Sequence, residues 1–315
     1  MKNLIVTADD YGVFPSVNQG VKDAIRNNKV NSVACIPNYK DSVKNVKELI
    51  AEFGNKADIG CHLTISSGEA LTVQNHEAFC YGNTFRPFSN LNIDDIEEVP
   101  ELLEKELKAQ VQVFLDNGIP ISNLSCHHTT LTTTAGLFKV YLKVANEFKL
   151  PIRSVNIFPA AKDCTYRNIL NLMLIRYVPM RKLKEMRKFG KEINEFLNTY
   201  EAKILTPNLL ESSHYGPIPQ AGFLDIAAPI EIKQKHKNLR SFFKDFVADE
   251  NKTSAELMVH LISEDLNLLE QDDAIDYPGI DQNYFDSRML EYRSLNAFDF
   301  SAYPEVKMGF WKELA

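Results

Sequence analysis

No stretch of this sequence is apolar for long enough to cross a bilayer. The N-terminal apolar run is only Leu4-Ile-Val6 before acidic residues begin, too short for a secretory core or a membrane helix. The five cysteines, at 35, 61, 80, 126 and 164, are odd in number and contain no CxxC pair. That excludes a complete disulfide framework and fits small buried hydrophobes in a reducing, cytoplasmic setting. A G-x-G-x-x-G turn, a Walker loop and a G-x-S-x-G elbow are all missing, so dinucleotide, P-loop and serine-esterase chemistry have no signal. Positive charge is also short. With 35 Lys and Arg against 42 Asp and Glu, the formal net charge is −7, which argues against nucleic acid as a partner.

What the chain does have is an ordinary globular composition, 44% hydrophobic and 24% charged over 315 residues. That suffices for one large α/β domain or two smaller ones. The first half alternates regularly. Residues 3–8 read as a buried strand, Ser16 to Asn28 as a helix with Ser16 as N-cap, and Val30 to Pro37 as a strand. Asp41 to Phe53 carries Val43, Val46, Leu49 and Ile50 at helical spacing before Gly54, and residues 57–64 form a third strand.

A loop rich in Gly, Asn and Pro then runs from Ser66 to Leu91, long enough to suggest a functional role. A helix over 96–117, a strand over 121–126 and a helix over 135–149 follow. Strand–helix–strand alternation predicts a parallel sheet with right-handed crossovers, as a barrel or an open sheet. Residues 157–200 interrupt it with a basic stretch that reads as a solvated helix face, with a lid, an oligomer contact or a membrane-surface element as the alternatives. Alternation returns with a helix near 230–248, a strand Glu256 to Ile262, and a helix from Gln282 to Leu295.

Three strands end in metal-binding side chains: Asp9-Asp10 after Asn3 to Ala8, His62 after Ala57 to Cys61, and His127-His128 after Ile121 to Cys126. In a β/α fold these positions meet at the carboxyl ends of the strands, where ligands bind. One carboxylate and two imidazoles there would make an open three-ligand site of the kind that activates water. Each signal has a plainer alternative. A lone Asp at a strand end caps the next helix or makes an Asx-turn, and a lone His in an apolar strand packs in the core. Two adjacent carboxylates repel unless a cation or proton intervenes, which favours a cation held by one and a base in the other. In a continuous strand His127 and His128 would point to opposite faces, so that only one could face the site. His260, inside the last apolar strand, is a core histidine or a proton donor. His76, His214 and His236 stand in loops or polar surroundings.

These segments resemble the YdjC-like carbohydrate deacetylases. The resemblance lies in Thr7-Ala-Asp-Asp-Tyr-Gly12 with Asn18 and Gly20 beyond it, Gly60-Cys-His-Leu-Thr64, Ala109-Gln110, Ser122 to His128, Glu256-Leu-Met-Val-His260, and Arg288 with Glu291. It implies a single domain over 1–315 with a variable helical insert around 157–200. The implied fold is α/β, a distorted TIM-type (β/α)-barrel with parallel strands, often as a homodimer. It further implies a divalent metal, magnesium or zinc, on Asp10, His62 and His127, with Asp9 as base and His260 as proton donor. The implied reaction is hydrolytic removal of an N-acetyl group from an amino-sugar carbohydrate.

Ser125 stands where the family has Asp, Thr129 and Leu131 replace later histidines, and Leu261-Ile262 replaces Pro-Gly. These departures leave open a substrate-shifted or non-catalytic sugar-binding homologue. An iron oxygenase would use the same two-His, one-carboxylate set, but usually on an antiparallel jelly roll.

Overall fold

The computed structural model describes residues 1–153, 188, 210–212, 232–250, 253–273 and 282–313. The expected insert at 157–200, apart from residue 188, and His214 lie outside them. Strand β1 (Lys2–Tyr11) is central. It pairs in parallel with β2 (Ser32–Cys35), which pairs with β3 (Asp58–Leu63). A hairpin of β4 (Cys80–Tyr81) and β5 (Thr84–Phe85) stands apart, within the loop after β3. Strand β6 (Asn123–Cys126) pairs with β3, and β7 (Leu210–Ser212) with β8 (Ser254–Val259). The main sheet therefore runs β6-β3-β2-β1-β8-β7, with β9 (Val306–Met308) also against β1, and every pairing in it is parallel. The predicted strand 3–8 lies within β1, while those at 57–64 and 121–126 are shortened to Asp58–Leu63 and Asn123–Cys126.

The strands are apolar on both faces because both faces are covered. Every residue of β2, β3 and β6 is buried, as is β1 from Leu4 onward, the pattern of a parallel sheet enclosed by helices. Among the described residues the α-helices include α1 (Pro15–Arg26), α2 (Ser42–Phe53), α3 (Ile93–Glu97), α4 (Pro100–Asp116), α5 (Ala135–Phe148), α6 (Ile232–Ala248), α7 (Leu266–Asp273) and α8 (Gln282–Ala297).

Several boundaries differ from expectation. Ser16 is not a cap: α1 begins at Pro15, which suits the first helical position because its missing N–H has no intrahelical partner there, and Phe14 precedes it. The predicted helix 96–117 is two helices, broken just before Pro100, where proline has no N–H to give. The loop over 66–91 contains the β4–β5 hairpin. It is tied down by Glu106 on α4, which is fully buried and accepts from the Leu71 and Thr72 amides and the Thr72 hydroxyl.

The sheet is curled. Ile152 bridges in parallel to Leu124 on β6, so Arg153 starts beyond the β6 edge. From there to β8 is five strand spacings, about 24 Å if flat. Yet the Arg153 guanidinium contacts Asp9 on β1 at 2.7 Å and Glu256 on β8 at 3.1 Å. Only a sheet rolled toward a barrel brings these strands within one side chain's reach. The α/β, distorted barrel-like architecture expected from the sequence is the one observed, and the side chains that meet across the curl build the site.

Candidate metal centre

All three proposed ligands converge. One donor atom each from Asp10, His62 and His127 lies within 4.8 Å of the others, and all three residues are buried. The His127 Nδ1 is 2.8 Å from Asp10 Oδ1, and the His62 Nε2 is 3.5 Å from the same oxygen. The His127 Nε2 is buried without a hydrogen-bond partner among the described residues. Two imidazoles and a carboxylate, with buried polarity left unmet, fit a divalent cation, and three protein donors would leave a position open for water.

Asp9 and Asp10 reach this place together because β1 is not a regular strand there. Ala8 pairs with Val33 and Tyr11 with Cys35, so β1 carries one residue more than β2. That bulge places Asp10 at φ 69, in the left-handed region that Asp tolerates better than most residues. Both carboxylates then face His62, whose Nε2 is 3.8 Å from Asp9 Oδ2. In an unbroken strand one of them would point away.

The turn is braced from behind. The Gly12 amide donates to Asn18 Oδ1 at 2.7 Å. A Cβ on Gly20 would fall 2.8 Å from the Ser263 nitrogen, so only glycine lets α1 lie against the chain leaving β8.

The histidine pair also departs from strand geometry. Strand β6 stops at Cys126, and His128 and Thr129 take φ of 53 and 55 in a tight 3-10 turn. The two rings therefore pack on one another, centroids 3.7 Å apart, rather than facing opposite sides. His128 Nδ1 meets Ser66 Oγ at 3.0 Å, which joins the long loop to the site. Left-handed backbone at a non-glycine residue is costly and concentrates at functional positions.

Ser125 does not stand behind His127. It is the register partner of His62 across β3 and β6, and its Oγ is 2.7 Å from His62 Nδ1. A hydroxyl thus orients the ring that presents Nε2 to the centre, the service usually performed by a carboxylate or carbonyl. Ser125→Ala should weaken metal affinity by roughly 10–100-fold. A chelator-competition titration measures this, and an affinity equal to the wild type would remove Ser125 from the site.

Asp9 is held by a residue that no sequence pattern pointed to. Arg153 Nη1 and Nη2 each donate to one Asp9 oxygen at 2.7 Å, while Nε reaches Glu256 Oε1 at 3.1 Å. Thr7 Oγ1 donates to that Glu256 oxygen at 2.6 Å. Burial alone would raise the Asp9 pKa, but the Arg153 charge and then His62 outweigh it and keep the carboxyl ionised below its usual range. Burial is likewise overcome at Asp10, chiefly by His127, whose charge and hydrogen bond hold it well below the carboxylate norm. At Glu256 burial prevails over Arg153, and its carboxyl is pushed up.

His260 lies one residue past the end of β8, not inside it, so it too stands at a strand's carboxyl end. Its amide donates to Glu291 Oε1 at 3.2 Å. Enclosure pushes its pKa down to about 4, against the pull of Asp10, Asp9 and Glu291.

The other described histidines keep structural roles: His236 bonds the Ser294 carbonyl and His76 the Ala78 amide. Cys61 and Cys126 are free, and burial raises both thiols, which removes them as nucleophiles. Among the described residues no helix is long and apolar enough to cross a membrane.

A protein named carbohydrate deacetylase from Thermoanaerobacter pseudethanolicus is 28% identical over 159 residues, 49% of this chain and 61% of that one. Its counterpart from Vibrio campbellii is 31% identical over 165 residues, 52% of this chain and 63% of that one. The chain therefore spans less than two thirds of the length of these relatives. A crystal structure from Enterococcus faecalis V583, provisionally assigned to cellobiose-phosphate cleavage, shares the fold at a TM-score of 0.66 and 18% identity, covering 100% of this chain and 99% of that one. The sequence profile of the YdjC-like proteins matches residues 3–303, and on that near-complete match this chain belongs to the YdjC-like family.

Proposed function

We propose that this chain is a metal-dependent hydrolase that removes an N-acetyl group from an acetylated amino sugar or oligosaccharide. The observation that carries the reading is the meeting of Asp10, His62 and His127 beside an Asp9 clamped by Arg153. The names of the relatives supply the substrate class. Two nitrogen donors favour zinc or another first-row ion over magnesium, which prefers oxygen ligands. A divalent cation at this site supplies Lewis-acid polarisation of a carbonyl and a lowered pKa for water.

The chain's own residues supply the rest. Asp9 uses both oxygens on Arg153, yet each retains a second lone pair for a proton from the attacking water. Its lowered pKa makes it a weak base that releases the proton readily. His260 would protonate the departing amine. Enclosure leaves its ring neutral at neutral pH, so the proton it gives is one received during the reaction. Water's proton and hydroxyl thus end on the amine and the acyl carbon, releasing acetate and a free amino sugar.

The iron oxygenase reading draws no support from a parallel α/β sheet. Acetate release from N-acetylglucosamine and its oligomers is the direct assay. Asp9→Asn should lower kcat by about 10²–10⁴-fold, the usual span for a general base, while bound metal stays near stoichiometric. Wild-type turnover in that variant would remove Asp9 as the base, and no acetate release by the wild type from any acetylated sugar would overturn the reading.

A further inference from the structure

Arg288 is the second arginine at the site, and its donors are not used up. It stands on α8 with its guanidinium carbon 3.5 Å from the centroid of the Tyr284 ring, one turn back on the same helix, which pins the plane of the side chain. Its Nη2 is 3.9 Å from Asp10 Oδ2, beyond hydrogen-bond reach. Its Nε is buried and has no hydrogen-bond partner among the described residues. The side chain is only 12% exposed. An enclosed guanidinium with unmet donors is unfavourable unless something outside the chain satisfies them. Arg153 differs, since its three nitrogens are engaged by Asp9 and Glu256.

We propose that Arg288 is the acyl-recognition group of this site, donating to the amide carbonyl oxygen of the substrate and then to the carboxylate of the released acetate. The proposal rests on the deacetylase reading above and names a residue which that reading leaves without a role. A planar, permanently charged fork matches a carboxylate or a developing oxyanion. Its closeness to Asp10 puts it at the reacting group rather than at a distant sugar hydroxyl. A phosphoryl group would satisfy the same donors, so the test must separate the two.

The experiment is a titration of acetate, and in parallel of inorganic phosphate, into wild type, Arg288→Lys and Arg288→Met. Binding is followed by NMR in metal-loaded and metal-free forms, with metal content and melting temperature measured on each. Acetate should bind the wild type and bind Arg288→Met about tenfold or more weakly, as expected for loss of a charge-assisted hydrogen bond. Arg288→Lys should fall between, and metal content should not change. In turnover, Arg288→Met should lose roughly 10²–10³-fold in kcat, with KM within a few-fold of wild type.

Unchanged acetate affinity in Arg288→Met overturns the proposal. So does loss of metal from that variant, which would make Arg288 a support for Asp10. Phosphate binding more tightly than acetate through Arg288 would also overturn it, in favour of a phosphoryl subsite. Arg288-dependent acetate binding in a protein that hydrolyses no acetylated sugar would sink the deacetylase reading and leave the carboxylate subsite standing.

Discussion

Stripping the protein with a chelator is expected to abolish acetate release and to lower its melting temperature by about 5 °C, with zinc restoring both. The stability effect follows from mass action: an ion that binds only the folded chain, present at a hundredfold over its Kd, contributes about 2.7 kcal/mol. In a chain of this size that is a shift of about 5 °C. The activity effect follows from placement, because Asp10, His62 and His127 have their donors within 4.8 Å and hydrogen-bond one another imperfectly. His127→Ala should reproduce the chelated state irreversibly, since among the described residues His127 Nε2 has no hydrogen-bond partner and Nδ1 bonds only Asp10. Calorimetry with metal analysis on the same samples reads this out. A chelated protein that melts where the loaded one does, and still turns over, would end the metal assignment.

Arg153→Met should be the most damaging single substitution away from the ligands. It removes the chief counter-charge from two buried carboxylates, Asp9 and Glu256, at a cost of about 3–5 kcal/mol. The sign with pH is specific. In the wild type the Asp9 pKa is depressed, so its contribution to stability is present above the unfolded value near 3.9 and fades as pH falls through the folded value. In the variant both carboxyls are raised by burial, and the penalty grows as pH climbs past about 4. Denaturant melts should therefore show a larger deficit at pH 7 than at pH 4. An equal deficit at both would mean that packing rather than charge is what Arg153 supplies. Activity should fall as well, with the acidic limb of its pH profile moved upward, because Asp9 loses the group that keeps it ionised. Arg153→Lys should recover part of the stability but not the two-pronged hold on Asp9.

The ligand positions were legible because each ends an apolar run, and in a parallel sheet such ends share one rim. That signal reached as far as Asp9-Asp10, His62 and His127-His128, and the resemblance chose Asp10 and His127 from their pairs. Arg153 was not legible. It follows α5 with no motif around it, and it belongs to the site only because the sheet curls. Ser125 lies two residues before His127 in the chain, whereas its partner is the cross-strand residue His62. Register between strands is a long-range property, and a string of residues displays only the near ones. His128 was expected to turn away from His127, and the left-handed turn stacks it there instead.

What the sequence determined by itself is the strand–helix alternation of the first half, its parallel sheet, and the three places where donors end a strand. Period and polarity encode these locally. Tertiary structure alone decided that Asp9 and Asp10 face the same way, through one extra residue in β1. It also decided that Arg153 crosses to β1 and β8, and that the donors of Arg288 are left over. These depend on bulge, curl and register, which arise when strands far apart in the chain pack together.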